Sequence, residues 1–360
     1  MREQIVERVR ERMQEKGISA ILVSNVRNVG YLTGFSGSSG FLVLGEDRGA
    51  FLSDSRYDEQ AREEVQGFPV SIYKNPTTTA EALAGLVREL GYDRLGFEAE
   101  HVTFATHRQW QEAMPEVTFV PVEGLIDPLR LVKTPEEIEK IRQACRLADA
   151  CFDHVLRLIQ PGVVEYDIAL EIDFYIRRQG AKSAFETIAV SGERSARPHG
   201  TPSEKRLERG DFVTMDFGAR LDGYCSDLTR TVVVQEASDR HREVYQAVLD
   251  AQLKALDAIR PGVPAKDVDA VAREVLRERG LDTYFGHGLG HGLGAEVHDV
   301  GRMSPSSEDI LEAGQVWTVE PGVYIPGFGG VRIEDDVVVT DEGCEILTSS
   351  PKELLILPRE

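Results

Sequence analysis

Apolar side chains along the first 120 residues alternate between helical and strand-like periods. Ile5, Val6, Val9 and Met13 share one face of a helix, in a segment dense in both charge signs. Residues 18–25 (ISAILVSN) and 40–54 (GFLVLGEDRGAFLSD) read as strands, the second as a hairpin turning near Glu46–Gly49. Residues 79–91 read as a helix closed by Gly91, and residues 94–100 as another strand. This alternation predicts an α/β domain. The segment SGSSG (36–40) has no Lys-Ser/Thr after it, so a tight turn is expected there and not a phosphate loop.

The pattern changes at residues 123–134. Thr134 is placed to cap a helix, Pro135 suits its first position, and Glu137 completes a capping box. That helix is predicted to run until Pro161-Gly162. An internal repeat follows. Pro161, Gly162, Val163, Asp167 and Gly180 recur 100 residues later as Pro261, Gly262, Val263, Asp267 and Gly280. A second matching stretch, RGDFVTMDFG (209–218) and AGQVWTVEPG (313–322), is offset by 104 and sets Glu320 where the first copy has Asp216. A duplicated helix-plus-hairpin unit predicts a pseudo-symmetric domain with its site between the halves.

The chain has 360 residues, which suggests two domains, and a 41% hydrophobic content that supports substantial cores. No apolar run approaches the roughly 18–20 residues that span a membrane. The charged N-terminus lacks the apolar centre of an export signal, so a cytoplasmic protein is expected. A net charge of −20 argues against nucleic acid and anionic membranes as partners. Cys145, Cys151, Cys225 and Cys344 form no CxxC pair and read as reduced thiols.

Chemistry concentrates in the second region. Asp222-Gly223 is a two-residue hairpin signal, and centring a turn there sets Asp216 opposite Thr229, with Asp227 a diagonal neighbour of Asp216. A cation between the two carboxylates would offset their repulsion; a solvent-facing aspartate and a turn cap would account for the pair equally well. Glu320 and Glu334 repeat the device about a midpoint at Gly327, in strands whose apolar flanks make an unpaired carboxylate costly. The run FGHGLGHGLGAEVHD (285–299) carries His287, His291 and His298. Its alternate glycines disfavour a helix, so His287 and His291 are not expected to share one metal. The glycines suggest a close backbone approach to a ligand. Four carboxylates and one imidazole suit two divalent cations about 3.5 Å apart. Mostly oxygen donors favour manganese, cobalt or zinc.

The segments PHGTPSEKRLERGDFVTMDFG, DGYCSDLTRT, HGLGHGLGAEVHD, VEPGVY and RIEDD closely resemble the pita-bread metallopeptidases, which include methionine aminopeptidase, Xaa-Pro aminopeptidase and prolidase. The resemblance covers residues 130–360, and the region before it is similar to a creatinase-type N-terminal domain. It implies an α+β protein: a creatinase-like α/β domain over residues 1–126 and a pseudo-symmetric pita-bread catalytic domain over residues 127–360. The nearest likeness is to short bacterial Xaa-Pro peptidases.

What the resemblance implies for the residues is specific. Asp227 and Glu334 bridge two metal ions, Asp216 binds one, and His291 and Glu320 bind the other. A bridging water attacks the carbonyl, and Glu320 moves protons between that water and the leaving amine. His298 stabilises the developing oxyanion. His199 and His287 line the substrate pocket, Arg332 anchors substrate or orients the site, and Arg302 falls in the loop where prolidases hold a carboxylate. Short proline-containing peptides are the implied substrates, and a homodimer the implied assembly. A non-catalytic peptide-binding or scaffold protein on the same fold is the alternative, disfavoured because such relatives typically have lost ligands.

Overall fold

The computed structural model describes residues 2–358. They form two compact units, the first ending at Leu129 and the second beginning at Arg130.

The first unit is built on six strands: β1 (Ala20–Val23), β2 (Phe41–Gly45), β3 (Gly49–Asp54), β4 (Val70–Tyr73), β5 (Arg94–Glu98) and β6 (Thr118–Val122). Their order in the sheet is β4-β3-β2-β1-β5-β6, antiparallel at its centre and parallel towards both edges. The N-terminal helix Arg2–Glu15 buries Ile5, Val6, Val9 and Met13, the face expected from sequence. The β2–β3 hairpin turns within residues 46–48. Sequence periodicity does not announce the helix Val26–Thr33, which contains Gly30 and β-branched residues of low helix propensity. Burial of Val29, Leu32 and Thr33, with a side-chain cap from Asn25, outweighs that propensity.

The second unit repeats itself hydrogen bond for hydrogen bond. The long helix Pro135–Val155 opens with the Thr134–Glu137 capping box and has its counterpart in Asp239–Ala258. Each is followed by a shorter helix, Glu165–Arg178 in the first half and Ala265–Glu278 in the second. Before the first of these, Gly162 N–H donates to Leu207 O (2.8 Å), Leu207 N–H to Val163 O (2.8 Å) and Glu165 N–H to Lys205 O (3.0 Å). The second half has the same three bonds: Gly262 to Leu311 (2.7 Å), Leu311 to Val263 (3.0 Å) and Ala265 to Asp309 (2.9 Å). Each half packs its helices on its own strands, around Phe152, Ile172 and Met215 in the first half and Val248, Leu276 and Trp317 in the second.

The two hairpins carry the site. In the first, Phe212–Phe217 pairs with Leu228–Val234, and Asp216 lies opposite Thr229. Its turn has φ of 48° at Asp222 and 86° at Gly223, the left-handed pair that matches strand twist in a two-residue hairpin. In the second, Val316–Val319 pairs with Asp335–Val339, and Gly322–Ile325 with Gly329–Arg332. Both ladders keep one register centred on Gly327, and Glu320 and Glu334 fall in the gap between them. Their N–H groups pair elsewhere, Glu320 with Leu289 O (2.8 Å) and Glu334 with Thr229 O (3.1 Å). The last bond joins the second-half hairpin to the first. Among the described residues no helix is long and apolar enough to cross a membrane.

Candidate metal centre

The two hairpins and the segment 283–304 enclose a cavity of about 1000 Å³. Asp216, Asp227, His291, Glu320 and Glu334 all line it, and so do His199, His287, His298, Arg302 and Arg332. Donor atoms of Asp227, His291 and Glu334 lie within 4.8 Å of one another. His291 Nε2 is 3.6 Å from Asp227 Oδ2 and 3.3 Å from Glu320 Oε1. Asp216 stands apart from this group, with one oxygen accepting from Arg332 Nη2.

Glycine explains how His291 reaches this place. Its strand, Gly290–Gly292, is squeezed between two others. A Cβ on Gly290 would stand 2.0 Å from Thr318 O, and one on Gly292 1.7 Å from Val300 O. At Gly290 and Gly292 the close approach is therefore to neighbouring strands, while Gly286, Gly288 and Gly290 line the cavity. Thr318 Oγ1 accepts the His291 N–H at 3.1 Å and also bonds Glu320 Oε1 at 3.2 Å. His298 lies with its ring centre 4.3 Å from that of His291. Arg302 lies on a strand, Asp299–Met303, directly across from His291, and not in a loop as its sequence context implied. Its Nη1 donates to the carbonyls of Asp299 and Gly301.

A second set of contacts fixes the carboxylates. Thr229 Oγ1 donates to Glu334 Oε2 (2.5 Å) and accepts from Arg332 Nε (3.0 Å). Arg332 Nη1 donates to the Tyr324 hydroxyl (2.7 Å), which lies 2.9 Å from His287 Nε2. Tyr324 is the residue that sequence reasoning missed. Its signal was a phenol inside an apolar strand of VEPGVY, where a buried hydroxyl needs a partner.

The electrostatics are those of a cation site. Asp216 Oδ1, Asp227 Oδ1 and Glu334 Oε1 are buried without a hydrogen-bond partner, an expensive state for carboxylate oxygens. Asp216, Glu320 and Glu334 act on the buried Arg332 guanidinium, and Arg302 lines the same cavity. Burial pushes Glu320 up to about 8 and Asp227 and Glu334 well above the carboxylate range, and the neighbouring carboxylates add to the shift in all three. Burial likewise holds His291 down to about 3 and His287 down to about 4, so both rings are neutral at pH 7. Neutral imidazole and oxygen donors suit a divalent cation of the manganese, cobalt or zinc kind.

These shifts predict how the metal-free protein responds to pH. A carboxyl whose folded pKa is raised stabilises the fold when protonated, and that contribution is lost as pH rises through its folded value. The depressed His287 and His291 work the other way up to about pH 6.5, so stability of the metal-free protein should fall chiefly between about pH 6.5 and 8. A divalent cation bound only by the folded state should remove the decline. Melting temperatures with and without metal, taken from pH 5 to 9, should diverge with rising pH; parallel curves would contradict the cation-site reading.

Residues 139–341 match the model of metallopeptidase family M24, and residues 5–132 match the creatinase/prolidase N-terminal domain. The chain belongs to metallopeptidase family M24. Its second unit is thus the pita-bread catalytic domain of an M24 metallopeptidase, and its first a creatinase-type domain. Among solved structures, this M24 chain is similar to an Xaa-Pro dipeptidase from Bacillus anthracis, with 44% identity, a TM-score of 0.95, and 99% of this chain and 100% of the other covered. It is also similar to an X-Pro aminopeptidase from Thermotoga maritima, with 38% identity, a TM-score of 0.88 and coverage of 95% and 98%. A curated relative, the Xaa-Pro dipeptidase of Pyrococcus furiosus, is 39% identical, with 95% of this chain and 97% of the relative covered.

Proposed function

We propose that this M24 metallopeptidase hydrolyses Xaa-Pro bonds in dipeptides and short peptides, using two divalent cations held by Asp216, Asp227, His291, Glu320 and Glu334. The observation that carries the reading is the set of three buried carboxylate oxygens with no partner, facing an imidazole in one cavity. A single divalent cation would leave the four carboxylates and Arg332 with a net negative charge. Two cations suit the split of the donors between Asp216 on one side and His291 with Glu320 on the other. A scaffold role is disfavoured, because the ligand set is intact. The relatives that support the substrate class are an Xaa-Pro dipeptidase and an X-Pro aminopeptidase.

When bound, divalent cations lower the pKa of water and polarise a carbonyl. The chain's own groups do the rest. Glu320, whose Oε1 lies 3.3 Å from His291 Nε2, takes a proton from the attacking water and returns it to the leaving proline nitrogen. His298 donates to the carbonyl oxygen as negative charge develops there. His199 and His287 line the substrate space, and Phe185 and Ile188 add apolar wall. Arg332 holds Asp216 and Tyr324 in place. Proline fits such a pocket because its nitrogen carries no N–H after acylation and its ring fixes φ, so recognition proceeds by ring shape.

The deciding test is release of proline from Ala-Pro by metal-loaded protein, with Ala-Ala as the control. Turnover of Ala-Ala with none of Ala-Pro would overturn the reading. Arg302 is the candidate clamp for a dipeptide's free carboxylate, since its guanidinium fork matches a carboxylate. Arg302→Ala should raise KM for Ala-Pro about tenfold and leave KM for Ala-Pro-Ala within about twofold. Equal effects on both substrates would remove Arg302 from that role.

A further inference from the structure

The segment Phe285–Leu289 has no helix or strand of its own, yet it presents His287 to the cavity. Glycines flank His287 on both sides, and a Cβ at Gly286 would meet nothing within 4 Å. Phe285 and Leu289 are buried at its two ends, and Gly288 lies close against Met303 and Ser304. What holds its backbone between those buried ends is an ion pair on the helix Ala265–Glu278. Asp269 and Arg273 sit one turn apart, on one face of that helix. Their side chains form a two-point pair, Arg273 Nε to Asp269 Oδ2 at 2.6 Å and Nη2 to Oδ1 at 3.1 Å. Arg273 Nη1 then donates to Phe285 O (3.0 Å) and Nη2 to His287 O, while Asp269 Oδ1 accepts the Leu289 N–H (3.0 Å). The guanidinium also covers the Phe285 ring, 4.3 Å from its centre.

Residues 285, 287 and 289 alternate, as do the residues of a strand that face one neighbour. The ion pair thus occupies the place of a neighbouring strand, with two donors and one acceptor in a fixed order. Asp269 is 1% exposed, so these charge-assisted bonds form largely out of water, where they are strong. The first half uses the same helical position for the same purpose. Asp173, 100 residues before Arg273, accepts from Ser183 Oγ (2.7 Å) and Thr187 Oγ1 (2.8 Å), in the chain that leads into Ile188 of the cavity wall. There the anchor holds side chains; in the second half it holds backbone.

The backbone grip extends to chemistry through one ring. His287 Nδ1 lies 2.8 Å from Gly288 O, which only accepts, so Nδ1 carries the proton. Nε2 accordingly accepts from the Tyr324 hydroxyl, which accepts from Arg332, which in turn holds Asp216. We propose that the Asp269–Arg273 ion pair is the positioning element for His287, and through that ring sets the substrate-side arrangement of Tyr324 and Arg332. The proposal rests on the Xaa-Pro reading only for the substrate used to test it.

The test is a double-mutant cycle with a spectroscopic readout. Arg273→Met and Arg273→Lys are each combined with His287→Gln, and KM and kcat for Ala-Pro are measured alongside metal content. Arg273→Met should raise KM roughly tenfold, with kcat within about threefold and metal content unchanged. Arg273→Lys keeps the charge but loses the fork, and should fall between the wild type and Arg273→Met. Each effect should vanish in the His287→Gln background. In histidine-labelled protein, the 15N signal absent from His287→Gln should report a neutral ring protonated at Nδ1, and should move towards mixed tautomers in Arg273→Met. Multiplicative kinetic effects, or an unmoved His287 signal beside a raised KM, would overturn the proposal. So would loss of folded protein in both Arg273 variants. A wild type inert towards Ala-Pro would defeat the substrate reading alone, because the His287 signal needs no turnover.

Discussion

Asp227→Asn is expected to abolish Ala-Pro hydrolysis and to empty the metal site while leaving the metal-free fold intact. Removing metal from the wild type with a strong chelator should give the same loss, and manganese, cobalt or zinc should restore it. Asp227 is 5% exposed, touches His291 and has one oxygen without a partner. An amide in its place removes a negative charge that the proposed cations would need. Loss of metal forfeits several kcal/mol of charge stabilisation, a fall of about 10³-fold or more in kcat/KM. Folding should respond in the opposite direction. The raised pKa of Asp227 marks an unwelcome charge in the metal-free fold, so Asp227→Asn should keep or raise the melting temperature near pH 8. The stabilising shift on adding metal should disappear. Unchanged metal content with normal turnover would remove Asp227 from the site. Asp222→Asn is the control, because Asp222 serves the turn, and Asn tolerates its φ of 48°.

His298→Ala should lower kcat by about 10²–10³ while metal content stays near that of the wild type. The imidazole lies against His291 with ring centres 4.3 Å apart and planes tilted by 59°, yet it lies outside the cluster of Asp227, His291 and Glu334. It faces the same cavity, where a carbonyl oxygen would gain charge. The split between kcat and metal content separates the two histidines. If His298→Ala loses metal and keeps its turnover per metal, then His298 is a ligand and the roles of His291 and His298 are exchanged.

The role of His298 came from the family resemblance, but the pairing of Asp216 with Asp227 was first read from spacing, and the structure explains why spacing was informative. Hairpin register is a local property. Asp222-Gly223 alone set Asp216 opposite Thr229, and a midpoint at Gly327 alone aligned Glu320 with Glu334. The Thr134–Glu137 capping box and the repeat are local signals of the same kind. The glycine run was harder, because its purpose depends on which strands lie beside it. Only the structure shows Gly290 against Thr318 and Gly292 against Val300.

Sequence by itself therefore determined the two-domain plan, the duplicated half, both hairpin registers and five residues that line one cavity. Turn chemistry, capping and side-chain alternation act over a few residues, so they can be read along the chain. Tertiary structure alone decided what surrounds those five. Thr229 meets Glu334 across 105 positions, Arg332 meets Asp216 across 116, and Tyr324 meets His287 across 37. The i, i+4 spacing of Asp269 and Arg273 carries no sign that the backbone of residues 285–289 rests on the pair. Such contacts form because buried polar groups must find partners wherever the fold brings them together, and no local pattern encodes that choice.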